Sequence, residues 1–165
     1  MFVDTFNLLV KKNRKIPSQD EFVIEYFHQN TVSLADLTES MKKGLEARLR
    51  RTYPSLVRDV HFGALLSERG LDVSYDQNVD VAAGVDHVVK YKGLTFHIHC
   101  YVNTRIGRMG RRIKNRRHDY RGLHLDIEMD MGAESADSLG DFFLYSNEHV
   151  DYLIDLMEGE LKKAT

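Results

Sequence analysis

The stretch GVDHVVKYKGLTFHIHCYVNT, Gly84 to Thr104, decides the fold. Val85 to Tyr91 and Leu94 to Asn103 are rich in β-branched and aromatic residues and read as two strands. Lys92-Gly93 joins them, and Gly93 supplies the permissive backbone that a two-residue hairpin needs. With that loop, Tyr91 pairs with Leu94, Val89 with Phe96, His87 with Ile98 and Asp86 with His99. Alternate side chains share a face. One face then carries Val85, His87, Val89, Phe96, Ile98 and Cys100 and is the better core. The other gathers Asp86, His97 and His99, with Lys90 beyond. Cross-strand neighbours lie about 5 Å apart and diagonal ones about 7–8 Å. Asp86 and His99 are therefore within reach of each other. A slip of one residue would move Asp86 to the opposite face.

Helical patterns precede the hairpin. Ser18-Gln19-Asp20-Glu21 is a capping-box sequence, and Phe22, Val23, Tyr26 and Phe27 continue at helical spacing to about Gln29. Ser33 restarts a helix whose stripe is Leu34, Leu37, Met41, Leu45 and Leu49. Pro54 is expected to interrupt or begin a helix, because it lacks an N–H. A further helix carries Leu56, Val57, Val60, Ala64 and Leu65 and ends at Gly70. Leu71 to Asp80 reads as a strand ahead of the hairpin. After it come a basic connection, a strand at Gly122 to Met129, a short strand at Asp141 to Tyr145, and a helix opened by Ser146. Strands in a block flanked by helices imply a mixed α/β, α+β-like fold: a central mixed sheet flanked by helices. The expected organisation is one domain over 1–165, with a helical part at 1–47 and an α/β core at 48–159.

The chain has 165 residues, 42% of them apolar and 29% charged, which are globular values. Its one cysteine, Cys100, excludes an internal disulfide. No run approaches the ~20 apolar residues of a membrane span. A cytoplasmic protein without a membrane partner is the expectation.

The net charge of −2 hides a segregation. Arg105, Arg108, Arg111, Arg112, Lys114, Arg116, Arg117 and Arg121 stand with one acid, Asp119, so this segment carries +7 and the remainder −9. Asp126 to Asp141 follows with six acids and no base. A local cationic segment of this kind points to an anionic partner, nucleic acid or another anionic ligand. Arginine forks bind phosphate oxygens in pairs. Gly107 and Gly110 would let a phosphate chain approach the backbone.

Around the hairpin the chain resembles the restriction-endonuclease-like superfamily, the nucleases with a PD-(D/E)xK signature. The resemblance covers roughly Arg48 to Gly159. It lies in the order helix, three-strand meander, crossover, further strand, helix, and in Gly84 to Thr104. The resemblance puts Asp86 at the motif's Asp, His97 at its second metal-binding acid or Gln, and His99 at its Lys. Members hold Mg²⁺ between carboxylates, whereas imidazole beside carboxylate suits Mn, Fe or Zn better. The resemblance thus implies catalytic roles for Asp86, His97 and His99, and a divalent metal (Mn, Mg or Zn) on Asp86 and His97, in a site degenerate enough to be inactive.

Three functions follow. The first is a nucleic-acid-binding protein using Arg105 to Arg121. The second is a metal-dependent nuclease or phosphodiesterase, with His124 and Glu128 as further contributors. The third is a protein-interaction module, such as a phage or mobile element directs at host machinery.

Overall fold

The computed structural model describes residues 2–74, 84–117, 122–139 and 142–164, with only the backbone of 114–117, 139 and 164. The fold is mixed α/β, as the sequence implies. The chain packs as two compact units, Met1–Val60 and His61–Thr165. Among the described residues no helix is long and apolar enough to cross a membrane.

The first unit is helical. Helix α1 (Phe2–Asn13) was not expected, and it takes in Lys11 and Lys12. Helix α2 (Gln19–Gln29) begins where the capping box puts it: the Glu21 N–H donates to Ser18 Oγ at 3.2 Å, and the Ser18 N–H donates to Glu21 Oε2 at 2.6 Å. Phe6 of α1, Phe22 of α2 and Tyr53 of the next helix meet edge to face or tilted, with centroids 5.6–6.3 Å apart.

Helix α3 (Glu39–Glu68) departs from the expected pattern twice. It begins at Glu39 rather than near Ser33, where Thr38 Oγ1 accepts the Met41 N–H at 3.3 Å. It also runs through Pro54 without a break. A helix-interior proline deprives the carbonyl four residues back of its donor. Here that carbonyl, Arg50, accepts instead from Gln19 Nε2 at 3.0 Å. The gap in the ladder is filled from α2, and the helix continues. It ends as expected at Gly70, whose φ is 78°. The Leu71 N–H donates to the Leu66 carbonyl at 3.1 Å and the Gly70 N–H to the Ser67 carbonyl at 3.0 Å, the two hydrogen bonds of a Schellman cap.

The second unit holds the sheet, ordered β1 (Asp72–Ser74), β2 (His87–Tyr91), β3 (Leu94–Val102) and β4 (Leu123–Met129). β1, β2 and β3 form an antiparallel meander, and β4 joins β3 in parallel. The expected first strand was longer; its residues 75–80 lie outside the described part. The hairpin register is the expected one, from Tyr91↔Leu94 to His87↔Ile98. Lys92 and Gly93 both have positive φ, 47° and 82°, as a type I′ turn requires. Val89, Phe96, Ile98, Leu125, Ile127 and Met129 point to one side, onto Phe62 and Leu66 of α3 and onto Val150, Leu153 and Met157 of the last helix. That helix, α5 (Asn147–Ala164), starts at Ser146, whose N–H donates to His149 Nδ1 at 3.1 Å. Before it, Phe142–Leu144 (β6) pairs with an unexpected strand, Asp137–Leu139 (β5).

The basic segment is a correction. Read as a connecting loop, it is a helix, α4 (Arg105–Arg117). Thr104 caps it: its Oγ1 accepts the Gly107 N–H at 3.0 Å and its carbonyl the Arg108 N–H at 2.9 Å.

Candidate functional site

The sheet face turned away from the core carries the polar residues of β3 and β4. Parallel pairing sets His97 beside His124, His99 beside Asp126, and Tyr101 beside Glu128. His97 and His124 stack at 4.7 Å and 17°, and His99 and His124 at 5.2 Å and 20°. His99 is buried, 1% exposed. Its Nδ1 lies 2.9 Å from the Gly84 carbonyl and its Nε2 2.9 Å from His124 Nδ1.

Those two distances fix which nitrogens donate when His99 is neutral. A carbonyl only accepts, so His99 Nδ1 carries its proton. His99 Nε2 then accepts, so His124 Nδ1 must donate. The result is a directed line of hydrogen bonds from His124 through His99 to the Gly84 backbone.

Burial pushes the His99 imidazole down to about 4, opposed by the Gly84 hydrogen bond and reinforced by Arg111. Burial, with His124 alongside, also lowers His97. Its Nδ1 is buried with no hydrogen-bond partner among the described residues. Both rings are held neutral at ordinary pH.

Asp86 sits just ahead of β2. Its N–H donates to the Ile98 carbonyl at 2.9 Å, and its Oδ2 accepts the Cys100 N–H at 2.7 Å. This is an Asp that pins the end of a hairpin. Stacked imidazoles hold their in-plane lone pairs in nearly parallel planes rather than aiming them at one point. A tetrahedral ion at about 2.0–2.1 Å needs convergent donors. Among the described residues no three of His, Cys, Asp or Glu are grouped to hold a metal ion.

Helix α4 lies on this polar side through Arg111. Its guanidinium forks onto Asp126 Oδ1, Nε at 2.9 Å with Nη2 as second donor, and its side chain is only 10% exposed. Gly107 lets the helix come this close: a Cβ there would fall 2.1 Å from the Val102 carbonyl oxygen. Gly107 thus serves β3, while Gly110 faces open space.

Three further arginines turn outward. Arg105, Arg108 and Arg112 are exposed and, with Met109, line a shallow hollow of about 360 Å³. Lys114, Arg116 and Arg117 continue the helix, and Arg121 lies outside the described residues. Apart from Asp86 at the end of the hairpin, the expected site residues with described side chains fall into two places: His97 and His99 with His124 on the sheet, and Arg105, Arg108, Arg111 and Arg112 on α4. The Arg111–Asp126 fork, which joins the two, went unread in the sequence. Its only signal was the alternation His124, Asp126, Glu128 on β4, which acquires meaning once β4 is known to lie beside β3.

Set against family models, curated proteins and solved structures, the chain finds no match.

Proposed function

We propose that this protein binds nucleic acid through the exposed side of α4, on a restriction-endonuclease-like core. One observation carries the reading. Arg105, Arg108 and Arg112 stand at i, i+3 and i+7 on one helix face, exposed and without an acidic partner among the described residues. Three guanidinium groups along about two turns form a row of phosphate-binding forks. The core reading is supported by the order of α3, the antiparallel β1–β2–β3 meander, α4, and β4 parallel to β3.

Binding rather than cleavage is favoured by the polar face. Asp86 is engaged by the Cys100 backbone, and His99 uses both ring nitrogens in hydrogen bonds. The nuclease alternative retains one feature, the stacked imidazoles of His97 and His124 on the polar face.

The test is titration of the protein with duplex DNA and RNA at two salt concentrations, in EDTA, Mg²⁺ or Mn²⁺. Each phosphate contact steepens the salt dependence by about 0.9 log units on duplex DNA. Replacing Arg105, Arg108 and Arg112 together by Gln should flatten the slope by about 2.7. Binding unchanged by that replacement would refute the interface. Metal-dependent cleavage lost in Asp86→Ala would restore the nuclease reading.

A further inference from the structure

The arginine row has a neighbour of opposite character. Ile106, Met109 and Ile113 repeat the same i, i+3, i+7 spacing one residue later. They are 85%, 61% and 38% exposed. Successive residues turn by about 100° around a helix. The two rows therefore run side by side along α4, one cationic and one aliphatic, each about 10 Å long. Gly107 and Arg111, on the far side of the helix, face the sheet. The aliphatic row has no such place in the core.

We propose that the nucleic acid taken by α4 is single-stranded or locally unpaired. This inference rests on the nucleic-acid reading and specifies its substrate. Intact duplex offers the helix phosphates and sugars, while its base faces are buried in the stack. Such a surface satisfies the arginines and leaves Ile106 and Met109 in water. A single strand presents phosphates along one edge and uncovered base faces along the other. Laid along α4, it meets both rows at once. Burial of a base face against aliphatic side chains is non-directional and reads no base edge, so recognition is sequence-tolerant. The guanidinium row commits the partner to a polyanion, and the adjacent aliphatic row selects the polyanion with exposed apolar faces.

The experiment compares a mixed-sequence single-stranded oligonucleotide with its duplex, for the wild-type chain and for Ile106→Gln/Met109→Gln. Gln keeps helix propensity at these exposed positions, and circular dichroism checks the fold. The wild-type chain should prefer the single strand by about tenfold, given two partly buried aliphatic side chains. The double variant should lose that preference and keep duplex affinity and salt slope. Equal weakening on both substrates, or a wild-type preference for duplex, overturns the inference and leaves nucleic-acid binding standing. An effect of the variant on anionic vesicles but not on oligonucleotides overturns it in favour of a lipid surface. No salt-dependent binding to any oligonucleotide removes the underlying reading as well, and the Arg105/Arg108/Arg112→Gln variant identifies that case.

Discussion

His124 Nδ1 donates to His99 Nε2 at 2.9 Å, and His99 passes the direction on by donating from Nδ1 to the Gly84 carbonyl at 2.9 Å. The carbonyl at the end of the line sets the tautomer of a ring two bonds away. Neutral His99 is a base whose lone pair is already occupied and whose burial disfavours charge. Nitrogen-15 spectra across pH should show His99 as the Nδ1–H tautomer, titrating near 4. A His99 that titrates at the ordinary 6.5 would mean that the line of hydrogen bonds does not form. His124→Phe should retain the stacking area and leave His99 Nε2 without its donor, costing about 1–3 kcal/mol of stability.

A second histidine governs behaviour in acid. His87 is 5% exposed, lies edge-on to Phe62 at 5.8 Å, and burial lowers it from 6.5 to about 4. As pH falls below 6.5 the unfolded chain takes up this proton first, while the folded chain resists until about 4. Stability is therefore full above the unfolded value and is lost through the window between them. For a 2.5-unit gap the loss is about 3 kcal/mol. Urea unfolding at several pH values should show this decline, and His87→Leu should remove one proton's worth of slope. His99 supplies a separate slope that the variant keeps. An unchanged slope in His87→Leu would show that the ring protonates in the folded state.

What the sequence disclosed depended on whether a signal was local. The β2–β3 register was legible because Lys92-Gly93 sets it and alternation confirms it over five pairs. Pro54 misled because its compensation, Gln19 Nε2 on the Arg50 carbonyl, comes from 31 residues away. Helix α4 was read as a loop because its apolar row faces solvent, so the periodic signal of Ile106, Met109 and Ile113 was swamped by charge. The histidine line was half legible. His97 and His99 alternate on one strand, but pairing His124 with them requires the parallel β3–β4 register, which no neighbouring residue encodes.

The two kinds of arginine on α4 should separate in a single assay. Arg111 is turned inward and forked onto Asp126, whereas Arg108 is exposed beside the hollow. Arg108→Gln should lower the salt slope of duplex binding by about 0.9 and leave stability within about 0.5 kcal/mol of the wild type. Arg111→Gln should do the reverse, costing about 1 kcal/mol through the lost fork and leaving the slope nearly unchanged. Salt titration and urea midpoints of the two variants provide the check. Equal slope changes would place Arg111 among the phosphate contacts.

Two glycines in the same helix should respond to alanine with opposite signs. In a helix interior alanine is favoured over glycine by about 0.5–1 kcal/mol, because glycine has more backbone freedom to lose. Gly110 has nothing within 4 Å of its Cβ position, so Gly110→Ala should gain that amount. At Gly107 the new methyl would sit 2.1 Å from the Val102 carbonyl oxygen and 3.2 Å from Thr104 Oγ1. Backbone cannot rotate aside as a long side chain does, so α4 must lift from the end of β3. That movement strains the Thr104 cap and pulls on the Arg111–Asp126 fork. The net cost should be about 1–3 kcal/mol, with faster amide exchange along residues 107–113. Gain at both positions would mean that α4 does not rest on β3. Loss at Gly107 alone ties the position of the arginine row to one missing methyl group.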